Sequence, residues 1–412
     1  MPLRYALPAL LLTLAAPSSR VLAQAPAPPA VPVADLAFID TSIENASPVW
    51  YERAGDGAYL VHLLYDHERN SPNRAAGHIH FRLVGTPGAR ITLEFRNLDN
   101  VWNGQPGSVA RELKTVAISP DGGTWTTVPT DALPGNRVRV TVTMPGPTLH
   151  VARMQPYGLS DLDRLMTTVR ASRFADVSRI GETVQGRPLE MIRIGNPAAP
   201  RRVFIRARAH PWESGSSWVA EGLVTRLLQD DAQARAWRER FALYVLPMAN
   251  KDGVARGGTR FNVLGKDLNR NWNAPIDAAV VPENAALERW LEAMIAKGQK
   301  PDLAMELHND GRGLLHISRP PVPRLPEHLA RMARLEALLR EKTWFTEGHT
   351  DGAFRNSGTL GDGWLQRYDV DAVVHEFNAN WVEGRKAPTS AALWQEYGAA
   401  LPGVFDAYFT ER

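Results

Sequence analysis

Arg202-Val-Phe-Ile-Arg-Ala-Arg-Ala209 runs directly into His210-Pro-Trp-Glu213, and the junction decides how the rest of the chain is read. The first eight residues form an apolar run of strand length, and the last four end it with a His and a Glu three residues apart. A buried strand that stops there aims both side chains at one point. Two imidazole nitrogens and a carboxylate are a donor set for catalytic zinc, with one coordination position left for water. His210 and Glu213 supply two of these donors, so a second His is sought elsewhere in the chain.

Two later segments repeat the pattern. Pro301-Asp-Leu-Ala-Met-Glu-Leu-His-Asn-Asp310 is a short apolar strand ending at His308, and Asp371-Ala-Val-Val-His-Glu-Phe-Asn378 is another ending at Glu376. Open α/β sheets bind ligands at the carboxyl ends of their strands. Three strands ending in metal-binding or acid–base side chains therefore predict one site, with His210, Glu213 and His308 as ligands. Taken singly, each His also reads as a satisfied core residue. The spacing differs from the two-His helical motif of thermolysin-like proteases.

Between these strands lie Asn250-Lys-Asp-Gly253, read as a turn, Arg260, and Asp267-Leu-Asn-Arg-Asn-Trp272. Gly181-Glu-Thr-Val-Gln-Gly-Arg-Pro188 stands upstream. In this order the set resembles the zinc metallocarboxypeptidases of the carboxypeptidase A type over residues 155–410, with Thr183 where the family signature has Ser. The resemblance implies one Zn2+ per chain, Glu376 as general base toward zinc-activated water, and Arg260 polarising the scissile carbonyl. It also implies that Asn269 and Arg270 hold the terminal carboxylate of a peptide or protein substrate. The physics agrees for arginine, whose planar fork matches a carboxylate. Glu376 also reads as a strand-end ion-pair partner, and the arginines as surface salt bridges.

Glu306 shares a strand face with His308, and reads either as a carboxylate orienting an imidazole or as part of the pocket wall. Asn309 and Asp310 follow it as further pocket candidates. His375 points to the opposite face from Glu376. Two departures from the family pattern stand out. No Tyr occupies the position about twenty residues before Glu376, where Ala353-Phe-Arg-Asn-Ser357 lies instead and Tyr368 is too near the strand. Trp212 replaces an Arg found in many relatives. Arg355 reads as a selector of acidic side chains or as a solvated loop residue.

Around this core, 412 residues predict two domains. Residues 1–23 read as a secretory signal, with Arg4, an apolar run and a small-residue cleavage site at Val21-Leu-Ala23; the competing reading is a membrane anchor, for which the run is short. Residues 24–36 form an Ala/Pro linker. Residues 37–152 alternate apolar and polar, as in Arg90–Arg96 and Arg137–Met144, between Gly/Pro turns, and predict a small all-β sandwich. Residues 153–412 alternate strands and helices and predict an α/β mixed-sheet catalytic domain. The expected helices run from Trp218 to Leu228, Glu283 to Ala296, Glu327 to Lys342 and Ala391 to Tyr408. A β-domain joined through Pro156-Tyr157 is similar to the cytosolic-carboxypeptidase branch.

The formal charge of +3 falls to +1 when Arg4 and Arg20 leave with the signal, which argues against nucleic acid as a partner. The absence of cysteine excludes thiol catalysis and disulfide stapling. A secreted or periplasmic protein without stable membrane insertion is expected, and no partner is assigned to the β-domain. Two other readings stay open: an amidohydrolase of cell-wall peptides or acyl-amino acids, and a zinc-bearing binding protein without turnover.

Overall fold

The computed structural model describes residues 35–66, 74–102, 104–350 and 357–410. The expected signal, most of the linker, and Arg355 lie outside them. Ala34–Arg412 form one compact unit.

From Leu36 to Ala152 the chain builds two five-stranded sheets that share one apolar core. The strand Arg90–Arg96 shows the cause, because Ile91, Leu93 and Phe95 are fully buried while the residues between them are not. Period-2 alternation sends one row of side chains inward. Phe81, Leu83 and Val151 of the facing sheet pack into the same core.

From Leu159 onward a mixed seven-stranded sheet runs in the spatial order Ala175–Glu182, Pro188–Ile194, Phe241–Leu246, Arg201–Ala207, Leu303–Asp310, Asp371–Asn378 and Leu315–Ile317. The four strands Phe241–Leu246, Arg201–Ala207, Leu303–Asp310 and Asp371–Asn378 are parallel and form its centre. Helices cover both faces, so these strands are apolar almost continuously rather than alternating. Val203, Ile205 and Ala207 face the helices Leu159–Ala171, Ser214–Leu227, Leu325–Lys342 and Ala391–Thr410. Phe204 faces the helices Pro282–Ala296 and Leu360–Tyr368 on the other side.

Some elements differ from expectation for local reasons. The Asn250 segment is a short helix, Lys251–Ala255, capped by the Asn250 side chain accepting from Gly253 N, rather than a turn. Ala232–Arg240 is helical without an apolar stripe, since the Asp231 cap and Trp237 anchor it. Leu360–Tyr368 carries two glycines, a composition that argues against helix. Its Gly363 is required because a Cβ there would lie 2.2 Å from the Trp272 carbonyl oxygen, and a Thr359/Asp362 capping box starts the helix. Among the described residues no helix is long and apolar enough to cross a membrane.

Candidate metal and active site

His210, Glu213 and His308 come together at the carboxyl ends of the central strands. Their candidate ligand atoms all lie within 4.8 Å of one another, and all three residues are buried. The turn that delivers His210 is tight: Arg208 is buried with φ +61°, a conformation few non-glycine residues hold without support. Its guanidinium donates to Pro211 O at 2.8 Å, and its carbonyl accepts from Asn250 N at 3.0 Å, which fixes the strand exit.

The two imidazoles face each other through Nδ1, 3.2 Å apart, with Glu213 oxygens 2.8 Å from the His210 nitrogen and 2.7 Å from the His308 nitrogen. His210 meets a carboxylate at each ring nitrogen, Glu213 at Nδ1 and Asp267 at Nε2, and a neutral ring with one proton cannot donate to both. Ligand atoms on a tetrahedral zinc with bonds of roughly 2.0–2.1 Å are spaced by about 3.3 Å. The residues present therefore fit a zinc ion. Burial alone would lower the His308 pKa, but the Glu213 and Glu306 carboxylates raise it well above its ordinary value.

A carboxylate stands behind each far ring nitrogen, as is common behind metal-binding histidines. His210 Nε2 is 3.1 Å from Asp267 Oδ1, and His308 Nε2 is 3.1 Å from Asn269 Nδ2 and 3.4 Å from Glu306 Oε1. Glu306 is fully buried, also 3.3 Å from Arg206 Nη1, so it backs the imidazole and is no part of the cavity wall. Burial would raise the Asp267 carboxyl, yet Arg260 and His210 hold it well below the usual range. Trp212 donates from Nε1 to Glu213 Oε1 at 3.0 Å, and the buried Arg153 guanidinium lies 4.4 Å over its ring.

A cavity of about 250 Å³ opens onto this cluster. Glu376 lines it, neighbouring His308 across the parallel strand pair. Its Oε2 carries no hydrogen bond. Burial, with Asp310, Glu213 and Glu112 nearby, raises its pKa well above the ordinary carboxylate value. His375 points the other way and meets Tyr397 OH at 2.6 Å in the core.

Arg260, Asn269 and Arg270 also line the cavity. Arg260 reaches Asp267 Oδ2 through Nε and Nη2, each at 2.9 Å. Arg270 donates from Nη1 to Asn269 O at 2.7 Å. Both ends of the Asn269 amide are engaged, since its Oδ1 accepts from Leu360 N at 2.9 Å. Asn309, Asp310, His316, Thr350, Thr359 and Val374 also line the cavity, as does Arg312. Tyr368 bonds Glu288 and Glu292 instead, away from the cavity.

Sequence reasoning missed Asp267 as the partner of His210, although its place two residues before Asn269 was a usable signal. It also missed Trp102 and Glu112, which enter the cavity from the N-terminal β region and carry no local signature. The Gly181–Pro188 signature works at a distance: Thr183 Oγ1 donates to Asp252 Oδ1 at 2.7 Å, and Arg187 pairs with the same oxygen, which locks the Lys251–Ala255 helix.

Comparison with known proteins agrees with this geometry. Residues 162–292 match the zinc carboxypeptidase family, a span that includes His210, Glu213, Arg260, Asn269 and Arg270. Cytosolic carboxypeptidase 2 of Homo sapiens is 33% identical over 136 residues, 30% of this chain and 15% of the relative. Cytosolic carboxypeptidase 6 of Mus musculus is 37% identical over 103 residues, 24% of this chain and 19% of the relative. The alignment thus spans less than a fifth of the length of either relative. The metallo-carboxypeptidase structure from Burkholderia cenocepacia superposes with a TM-score of 0.78 at 21% identity, over 90% of this chain and 98% of that one. The chain is thus similar to zinc carboxypeptidases in sequence over residues 162–292, and to a bacterial metallo-carboxypeptidase in fold over most of its length.

Proposed function

We propose that this protein is a zinc-dependent metallocarboxypeptidase that removes the C-terminal residue of peptides or proteins. The observation that carries the reading is the convergence of His210, Glu213 and His308 in a cavity that Glu376, Arg260 and Arg270 also line. A zinc ion held by the triad would supply Lewis acidity, and its charge would oppose the proton retention that burial imposes on Glu376.

The chain's own groups do the rest. The Arg270 guanidinium pairs with the terminal carboxylate, and such charge-assisted bonds contribute roughly 1.5–3 kcal/mol each. Asn269 keeps Arg270 and His308 in register through its backbone and its amide. Arg260 donates to the scissile carbonyl oxygen as negative charge develops there. Glu376 takes a proton from the attacking water as the new C–O bond forms. It returns that proton to the amine nitrogen as the C–N bond breaks. One water is consumed, and a shortened peptide and a free amino acid result.

Mass spectrometry of a peptide library with free-acid and amidated C-termini, with zinc and with a chelator, tests the reading. Zinc-dependent loss of single residues from free-acid peptides alone is the expected result. Cleavage indifferent to amidation, or no trimming, overturns it and favours an amidohydrolase of cell-wall peptides or acyl-amino acids. Export is part of the same proposal, and rests on the leader-like residues 1–23. Intact-mass analysis of protein expressed with that segment should show a mature chain beginning at Gln24.

A further inference from the structure

The segment that carries Arg260 is gripped by the N-terminal β region at almost every residue. The Asp66 carboxylate accepts three consecutive backbone N–H groups: Oδ1 from Thr259 at 2.5 Å, and Oδ2 from Arg260 and from Phe261, the last at 2.9 Å. Asp66 is itself anchored, with its N–H donating to Ala75 O at 2.9 Å. His78 N donates to Thr259 Oγ1 at 3.1 Å, and Asn45 Nδ2 to Val254 O at 2.7 Å. Gly257, at φ +64°, lies so close to Ala46 that a Cβ there would fall 1.8 Å from its carbonyl oxygen. At the other end of the side chain, the Arg260 guanidinium sits 5.4 Å from the centroid of the Trp102 ring, and both residues line the catalytic cavity.

Each contact has a general physical meaning. Three N–H groups on one carboxylate make a charge-assisted clamp that fixes three successive peptide planes. A guanidinium over an indole face is attracted by the ring quadrupole, which limits its swing. Together they restrict the arginine from backbone to tip. Asp66 lies 193–195 residues from the three amides it binds.

We propose that Asp66 and Trp102 are positioning residues for Arg260, so that the N-terminal β region is a working part of the catalytic site rather than an appended binding module. This rests on the carboxypeptidase reading for its kinetic consequence only; the clamp itself stands on geometry. Misplacing a preorganised donor to a developing oxyanion costs part of the roughly 10²–10³-fold its full removal costs.

The test uses the full-length protein carrying Asp66→Asn, which keeps size and shape but turns one acceptor oxygen into a donor facing N–H groups. Hydrogen exchange of the peptide spanning Gly257–Asn262 in the zinc-free protein should accelerate at least tenfold, with exchange across the central strands unchanged. At equal zinc content, kcat should fall roughly 10–50-fold with KM within threefold. The same substitution in an Arg260→Gln background should add less than threefold. Trp102→Leu, which leaves the carboxylate clamp intact, should lower kcat about fivefold and serves as the kinetic test if Asp66→Asn does not fold. Unchanged exchange at 257–262, or an equal loss of kcat with and without Arg260, overturns the proposal. If wild-type protein does not trim peptides at all, the functional reading fails, while hydrogen exchange still decides the clamp.

Discussion

The strand Asp371–Asn378 carries a carboxylate near each end, and the two live in opposite circumstances. Asp371, at the amino end, is saturated: it pairs with Arg324 and Arg331, each at 2.8 Å, and with His328 Nδ1 at 3.0 Å. Burial would raise its pKa, but these donors hold it well below the ordinary 3.8. Glu376, at the carboxyl end, has an oxygen without any partner and a pKa pushed up by burial and by neighbouring acids. One strand thus separates a carboxylate that holds the fold from a carboxylate left able to exchange a proton. The difference lies in donor supply.

Four experiments break or sharpen this contrast. The largest effect should come from stripping zinc: turnover falls to background on dialysis against a chelator and returns with one added equivalent, measured by peptide trimming and metal analysis. Ions should bind at the Glu376 end only, so chelation leaves the Asp371 network unaltered by NMR or hydrogen exchange.

Glu376→Gln removes the proposed proton carrier and keeps the volume. It should lower kcat by roughly 10³-fold, with zinc affinity and urea stability near wild type. A stability loss as large as that of an Asp371 variant would erase the distinction between the two carboxylates.

Asp371→Asn should do the reverse. Breaking a buried ion-pair network costs about 3 kcal/mol, read from urea unfolding, with kcat changed less than twofold. The sign of the pH dependence follows from the lowered pKa. The contribution is complete above the unfolded value of 3.8 and is lost as pH falls through the folded value. Below about pH 4 the stability gap between wild type and variant should therefore narrow.

Trp212→Phe is the smallest perturbation. It keeps an aromatic ring beneath Arg153 but deletes the N–H that Glu213 accepts. Loss of such a bond to a ligand costs about 10–100-fold in metal affinity; zinc competition with a chromophoric chelator should show the lower part of that range, with little change in thermal stability of the metal-free protein.

Much of this arrangement was legible before any coordinates. The central strands announced themselves because both faces are covered, which leaves apolar runs that end near the site. The helices expected at Glu283 to Ala296 and Glu327 to Lys342 form as Pro282–Ala296 and Leu325–Lys342. The helices Ala232–Arg240 and Leu360–Tyr368 were not legible, because a cap, a single Trp and close backbone packing around Gly363 substitute for amphipathic periodicity.

By itself the sequence determined which side chains could serve as ligands, base and carboxylate clamp, since ordered motifs at strand ends are local and chemically specific. It also determined that His375 and Glu376 face apart, since a strand has period 2. Only the tertiary structure decided what surrounds those groups. It set Asp267 and Glu306 behind the two imidazoles, put the indole of Trp212 on Glu213, left an oxygen of Glu376 unpartnered, and brought Asp66 and Trp102 against Arg260. These contacts join residues far apart in the chain. Their energy depends on distance and burial in space, for which no local pattern of residues is a substitute.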